Sequence, residues 1–389
     1  MTIGNLVDLN VFVRDALSSW RRLDLVDVRI LEGISRFGPR NLTQVAQSID
    51  LPQTTVRFRV ERMLNNSFLF LHLVPNTSKM GLRRAVVFVE ASPGHDLDLV
   101  DYLRANDFWV FMCQIYGKIE GSASIWTVPN EKVREFESFL DRLQEIGVAK
   151  NFEILWMTPF HYVPVSGRWF DSKEETWVFK WQEWIKEIEN IEGELPQVLT
   201  EREKISMSVD HTDLLMISEL ENNAILTLPE LSKILAIPQS KIKYHYYEHV
   251  LKRGLVSGYQ VETYPYPFPI CEIPFFKFEF NNPEDLRKFS LSLLDKPIAI
   301  NIGKVSGEDT LISHVYLPKW ELRKFTRALS ILVKRGLMRR YEYYLQDMYQ
   351  TLRESIPFEH FDNGEWIYHL DQQLKKIDDI RESEDIMDF

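Results

Sequence analysis

The chain is written twice. Laying residues 26–62 over residues 212–248, an offset of 186 with no gaps, superimposes the apolar positions. Ile30 meets Met216, Leu31 meets Ile217, Ile34 meets Leu220, Leu42 meets Leu228, and Val45 meets Leu231. Ile49 and Leu235, Leu51 and Ile237, and Val56 and Ile242 continue the series, and Asp27 falls on Asp213. The sharpest agreement is Pro52-Gln53-Thr54-Thr55-Val56-Arg57-Phe58-Arg59 over Pro238-Gln239-Ser240-Lys241-Ile242-Lys243-Tyr244-His245. Both copies read Pro-Gln-hydroxyl-x-aliphatic-basic-aromatic, ending in Arg or His. A repeat of this length means two copies of one folding unit rather than one large unrelated core.

Each copy first spells a three-helix unit. In residues 24–69, Val28, Leu31 and Ile34 recur at helical spacing, and Phe37-Gly38-Pro39 breaks the helix. Asn41 caps a second helix whose inner face is Leu42, Val45, Ala46 and Ile49, and Asp50-Leu51-Pro52 makes a tight turn. A third helix runs from about Gln53 to Asn66 with Val56, Val60, Met63 and Leu64 inward. This is the helix-turn-helix pattern, whose last helix enters the DNA major groove with its early residues on base edges.

The residues left for duplex DNA are Gln53, Thr54, Thr55, Arg57, Arg59 and Arg62 in the first copy. The second copy offers Gln239, Ser240, Lys241, Lys243 and His245, with Lys252 and Arg253 suited to phosphate. His245 and His249 sit where a change of protonation would alter the second reader, or serve as hydrogen-bonded histidines. Hairpin wings are expected near residues 69–79 and 256–266.

Downstream, strands at 85–91 and 275–280 precede helical segments near 96–105 and 283–294. Strand pairs then flank Gly121 and Gly307, second helices carry Phe136 and Phe325, and final strands begin near Phe152 and Tyr341. Strand-helix-strand-strand-helix-strand is the ferredoxin-like order, an antiparallel sheet with both helices on one face. The predicted fold class is therefore α+β, two winged helix-turn-helix domains alternating with two ferredoxin-like (βαββαβ) domains. The predicted division is 1–82 (an N-terminal helix and the first winged unit), 83–165 (ferredoxin-like), 166–209 (linker and tail helix), 210–272 (second winged unit), 273–350 (ferredoxin-like) and 351–389 (tail with helix). Each half ends in a similar tail, Phe170-Asp171 then Trp177, and Phe361-Asp362 then Trp366.

These residues resemble the Lrp/AsnC, or feast/famine, transcription regulators. The family's Leu-Asp-x-x-Asp-x-x-Ile-Leu run is met by Leu23-Asp24-Leu25-Val26-Asp27-Val28-Arg29-Ile30-Leu31. Its Thr-Val-x-x-Arg segment is met by Thr55-Val56-Arg57-Phe58-Arg59, and its Lys-Leu-Gly by Lys79-Met80-Gly81. Ser67 replaces a usual Gly, and His245 replaces the Arg in the second copy. The resemblance implies a sequence-specific DNA-binding regulator, its two halves pairing within one chain as a pseudo-dimer with a further homodimer possible in principle. It also implies a small-molecule effector, unidentified, at a Gly-x-x-Asp-like turn. Gly307 and Asp309 keep an acid there, whereas Gly121-Ser122-Ala123-Ser124 has none.

Composition narrows the rest. At 389 residues with 45% hydrophobic and 26% charged, the chain is long enough for two to four globular domains. The net charge of −11 sets long-range steering and leaves room for a local basic surface. Cys113 and Cys271 are far apart and match no disulfide or zinc spacing, which suits a reducing cytoplasm. Residues 1–20 show no secretory leader, and no run reaches the ~18 apolar residues that would call for a membrane partner.

Nucleophile-elbow, phosphate-loop, zincin and dinucleotide motifs are all missing, and His72, His95, His161, His211, His314, His360 and His369 lack metal-like spacing. The expectation is no enzyme, no cofactor and no metal. Acid-rich stretches at 183–194 and 378–388 read as solvated faces or a mobile tail. Two alternatives stay open: a siroheme-decarboxylase-like enzyme, which shares the duplicated architecture, and an assembly scaffold that does not bind DNA. The decarboxylases carry Tyr-Asn-x-Trp-Phe on a middle strand; here it reads Ser124-Ile125-Trp126-Thr127 and Leu311-Ile312-Ser313-His314.

Overall fold

A computed structural model describes residues 23–66, 69–200, 207 and 209–387. The N-terminal helix expected ahead of the first unit, and Ser67, fall outside these described residues. Asp24 caps α1 (Leu25–Phe37): its carboxylate accepts the Asp27 N–H at 2.8 Å while Asp27 accepts the Asp24 N–H at 3.3 Å. This reciprocal box satisfies two otherwise orphaned donors. Helices α2 (Leu42–Ser48) and α3 (Gln53–Asn65) follow, joined by a turn in which Asp50 takes a left-handed φ of 56°. The second half repeats this over His211–Asn222, Leu228–Ile234 and Gln239–Tyr244. There Asp210 and Asp213 form the same box, and Ala236, 186 residues after Asp50, has φ 52°.

After β1 (Leu69–Pro75) the first half builds β2 (Leu82–Ala91), α4 (Leu99–Leu103), β3 (Trp109–Tyr116), β4 (Gly121–Pro129), α5 (Val133–Glu145), β5 (Ala149–Met157) and β6 (His161–Tyr162). A hairpin of β7 (Phe170–Asp171) and β8 (Thr176–Trp177) leads to α6 (Trp181–Asn190). The second half has α7 (His211–Asn222), α8 (Leu228–Ile234) and α9 (Gln239–Tyr244), which widens to π geometry over His245–Leu251. Then come β9 (Val256–Thr263), β10 (Cys271–Glu272), β11 (Phe275–Glu279), α10 (Pro283–Leu293), β12 (Ala299–Lys304), β13 (Thr310–Val315), β14 (Leu317–Pro318), α11 (Lys319–Lys334) and β15 (Arg340–Arg353). The chain ends in β16 (Phe361–Asp362), β17 (Glu365–Trp366) and α12 (Leu370–Met387). The class is mixed helix and sheet.

One nine-stranded antiparallel sheet runs β5-β2-β4-β3-β15-β11-β13-β12-β6. Each half contributes four strands in the order last, first, third, second, and β6 of the first half adds the ninth at the edge beside β12. In β2, Ala85, Val87 and Val89 face α4 and α5, while Val86 and Phe88 face the strands of the other half. Both faces are buried, so β2 reads as an almost unbroken apolar run. Between the halves Phe88 stacks on Tyr344 at 4.4 Å and meets Phe275 edge-on at 5.9 Å.

The last strand of each half crosses to its neighbour. Residues Arg340–Tyr344 of β15 pair with β11, whereas Leu345 onward pairs with β3. Reciprocally, β5 pairs with β2, Met157 bridges Val305, and β6 pairs with β12. The predicted boundary at 350 therefore cuts through a continuous strand and is corrected: β15 runs to Arg353.

The tails cross as well. On α6, Trp184 donates to Ser292 Oγ at 3.1 Å and Trp181 to Glu321 Oε2 at 2.7 Å, both in the second half. In return α12 lies on α5, with Ile377 fully buried and Arg142 bonded to Asp378 at 2.9 Å. The stretch from 378 to 387, expected as a solvated face or mobile tail, is the end of this helix, with Asp379, Arg381, Glu382 and Ser383 exposed. The two three-helix units share a single core, in which Val28, Ile34, Val56 and Val60 join Leu214, Ile217, Ile242 and Val250.

The predicted wing hairpins also need correction. β1 pairs antiparallel with β9, Leu69 opposite Thr263 through Pro75 opposite Val256, so each unit lends one strand to a shared ribbon. A 3-10 turn at Thr77–Met80 diverts the chain directly into β2 and leaves no return strand in the first unit. Among the described residues no helix is long and apolar enough to cross a membrane. Phe88→Ala should cost about 3–5 kcal/mol and lower the melting temperature of both halves in one transition; two separate calorimetric transitions would contradict the shared core.

Candidate nucleic-acid interface

Val56, Val60 and Met63 hold one face of α3 in the core, and this fixes which side chains face out. Gln53, Thr54 and Arg57 are exposed and Thr55 is half-buried. In α9, Ile242 is buried and Gln239, Ser240, Lys241 and Lys243 are exposed. Lys252 is exposed and pairs with Glu248 at 2.7 Å, while the exposed Arg253 accepts Lys79 Nζ on its carbonyl. Phe58 is 67% exposed and its counterpart Tyr244 57%. Each helix thus presents a cation followed by an aromatic ring, Arg57-Phe58 and Lys243-Tyr244. The aromatic position was legible in the repeated motif, but the sequence reading assigned it no role.

Three predicted contacts are turned away from this surface. Arg59 Nη1 bonds Asp24 at 2.7 Å and Asp27 at 2.8 Å, and Arg62 Nη2 bonds Asp27 at 2.6 Å. His245 is buried, its Nδ1 lying 2.8 Å from Asp213 Oδ1. These residues lock the third helix of each unit to the capped start of the first, and their polar groups are bonded there. The cause is the capping box itself, whose buried acid demands an interior partner. Burial pushes the Asp24 carboxyl up, but the Arg59 hydrogen bond, the Asp27 and Val26 N–H groups and the Arg59 charge together outweigh it and hold the group below its ordinary value. His249 joins the second cluster at 3.0 Å from Asp213 Oδ1.

Of the tentative effector residues, Asp309 lines an open polar hollow with Lys277, Glu279, Glu308, Arg339 and Arg340, and Gly307 is not part of its lining. Gly307 takes a left-handed φ of 78°, and the Asp309 carbonyl accepts the Phe280 N–H at 2.9 Å.

A second cavity lies where the β1–β9 ribbon meets the large sheet, and sequence reasoning missed it because its lining comes from both halves. Arg84, Phe111, Tyr162, Glu221, Glu262, His314 and Arg353 face it. His314 is buried against Phe275, and its Nδ1 faces the Asn301 amide at 3.1 Å. Its Nε2, like Arg84 Nε, has no hydrogen-bond partner among the described residues. Burial pushes the His314 imidazole down to about 3 and the Glu221 carboxyl up to about 7. Arg353 bonds Glu262 at 3.2 Å and Gln260 at 3.1 Å.

Two outcomes follow. Arg59→Ala leaves Asp27 buried with less compensation and should cost about 3 kcal/mol of stability in a denaturant melt; a neutral result would refute the clamp. Glu221, raised from an ordinary 4.5 to about 7, favours folding while neutral, so its contribution is full below 4.5 and lost as pH rises through 7. Glu221→Gln should therefore gain on the order of 1–3 kcal/mol over the natural chain between acid and pH 8, and a pH-independent difference in melts would contradict this.

No family model matches the chain. It is 31% identical over 142 residues to an uncharacterised helix-turn-helix-type transcriptional regulator of Pyrococcus furiosus, a match covering 35% of this chain and 92% of that protein. Among solved structures, the siroheme decarboxylase NirDL is similar along nearly the whole chain, with a TM-score of 0.53 at 9% identity, covering 92% of this chain and 98% of that one. The same enzyme in co-complex with an iron-uroporphyrin III analogue gives a TM-score of 0.53 at 9% identity, covering 91% and 98%. This likeness is one of fold, and it overturns the expectation of no enzyme, because the full-length arrangement is one that an enzyme has. An AsnC family transcriptional regulator from Agrobacterium tumefaciens covers 34% of this chain and 89% of its own at a TM-score of 0.28 and 13% identity. The Pyrococcus furiosus regulator, 31% identical and matched over 92% of its own length but a third of this chain, agrees with the motifs at Leu23–Leu31 and Thr55–Arg59: the chain belongs to the Lrp/AsnC family of helix-turn-helix regulators.

Proposed function

We propose that the chain binds duplex DNA as an intramolecular pseudo-dimer of two winged helix-turn-helix units carried on two ferredoxin-like domains. The observation that carries this reading is the matched exposure of Gln53, Thr54 and Arg57 with Gln239, Ser240 and Lys243 at the starts of equivalent helices. Arg57 is suited to guanine, Lys243 to guanine or phosphate, and Gln to adenine. Phe58 and Tyr244 add apolar contact to thymine methyls or sugar. Arg57 opposite Lys243, and Thr55 opposite Lys241, make the two half-sites unlike, so the preferred duplex is an imperfect palindrome. A second copy of the chain and an effector at Gly307 and Asp309 are further partners in this reading.

Arg57→Ala and Lys243→Ala should each weaken binding to a selected site by about 1–3 kcal/mol and reduce the salt dependence of affinity. Gel-shift affinities unchanged in both variants would remove these helices as readers.

The full-length fold likeness and the inter-half cavity favour a second reading, binding of a carboxylate-bearing tetrapyrrole. Arg84 and Arg353 have the chemistry to meet carboxylates, and the His314 imidazole presents a nitrogen to the same space. The chain departs from the decarboxylase pattern at 124–127, where Trp126 is fully buried and bonded to Ser124 Oγ at 2.7 Å. Titration with siroheme should give a bound chromophore that His314→Ala weakens; an unshifted absorption spectrum would eliminate this reading.

A further inference from the structure

We infer that Asp210, Asp213, His245 and His249 form a four-coordinate zinc site that ties the second recognition helix to the first helix of its unit. The four donor atoms lie within 4.8 Å of one another. His245 Nδ1 is 2.8 Å from Asp213 Oδ1 and 3.6 Å from Asp210 Oδ2; His249 Nδ1 is 3.0 Å and 3.4 Å from the same oxygens. A tetrahedron with metal–ligand bonds of about 2.0–2.1 Å has edges of about 3.3 Å, and these separations bracket that length. Two imidazoles and two carboxylates suit a borderline divalent ion.

The remaining carboxylate oxygens are already committed. Asp210 Oδ1 accepts the Asp213 N–H at 3.0 Å and Asp213 Oδ2 accepts the Asp210 N–H at 3.1 Å. The capping box therefore orients both ligands from behind, as outer hydrogen bonds do in metal sites. The His245–His249 spacing falls in the π-widened segment, and their ring centroids are 4.5 Å apart. Asp210 is half-exposed and opens the cluster to solvent, whereas Asp213 is fully buried.

The first half supplies the independent argument. There the equivalent acids Asp24 and Asp27 are neutralised by two guanidinium groups. In the second half His245 stands at the Arg59 position, Glu248 at the Arg62 position and His249 at the Met63 position. The permanent positive charges are gone while the acid pair, with its buried Asp213, remains, and two imidazoles take their place. A divalent cation restores the balance that the arginines provide in the other half. This inference stands apart from DNA reading, since it concerns how the unit is held together.

The full chain, stripped with chelator and dialysed against Zn(II), should retain one equivalent by elemental analysis. Co(II) in its place should give the strong visible bands of a four-coordinate ion. The triple variant His245→Arg, Glu248→Arg, His249→Met copies the solution of the first half and should fold, by circular dichroism, without retaining metal. His249→Gln, which keeps a hydrogen-bonding group beside Asp213, should weaken Zn(II) binding by more than about tenfold. A natural chain that retains no Zn(II) and gives no Co(II) bands would overturn the assignment, as would full retention in either variant.

Discussion

The reciprocal exchange of terminal strands is the constraint from which the rest of the molecule follows. β15 leaves β11 to pair with β3, and the β5–β6 segment leaves β2 to reach β12. Because both exchanges occur in one chain, the two halves of the sheet are packed together over Phe88, Phe275 and Tyr344. Neither half retains a complete set of edges or a covered inner face without the other. The ribbon of β1 and β9 extends the same logic to the helical units, whose cores merge. The spacing of the two recognition helices is consequently a property of the whole chain, set by packing and not by a tether.

Within that frame the two copies have diverged around one problem, a buried carboxylate at the start of the first helix. Both keep the capping box, because four amide donors need partners at any helix start. They differ in what offsets the acid: a pair of arginines in one unit and a pair of histidines in the other. The outward surface keeps its pattern of Gln, hydroxyl, cation and aromatic ring through the same divergence. The interior of these helices thus differs between the copies while the exterior pattern does not.

Much of the architecture was legible because it rests on local signals. The duplication, the capped helix starts, the turn at Asp50 and the inward faces of α1 and α3 all arise from short-range periodicity and capping chemistry. Arg59, Arg62 and His245 were misplaced for an equally physical reason. A helical wheel separates apolar from polar, and it cannot say that a polar side chain will meet a buried acid from another helix. The pairing of β1 with β9, the crossing of α6 and α12, and the cavity around His314 are long-range, and no spacing within one half encodes them. Trp181, Trp184 and Ile377 did carry a trace of the crossing, since an apolar stripe on a tail helix must be covered by something.

The crossed tail helices carry a consequence for how such a molecule can change over time. A two-subunit ancestor must keep one surface that serves both sides of its axis, so every substitution is felt twice. With α6 sealed onto the second half and α12 onto the first, this chain fixes which half meets which, at a stoichiometry that no concentration can disturb. Each side of the axis is then free to acquire its own chemistry, as the cavity lined unequally by Arg84 and His314 already illustrates. A repeat held in one chain in this way has a left and a right.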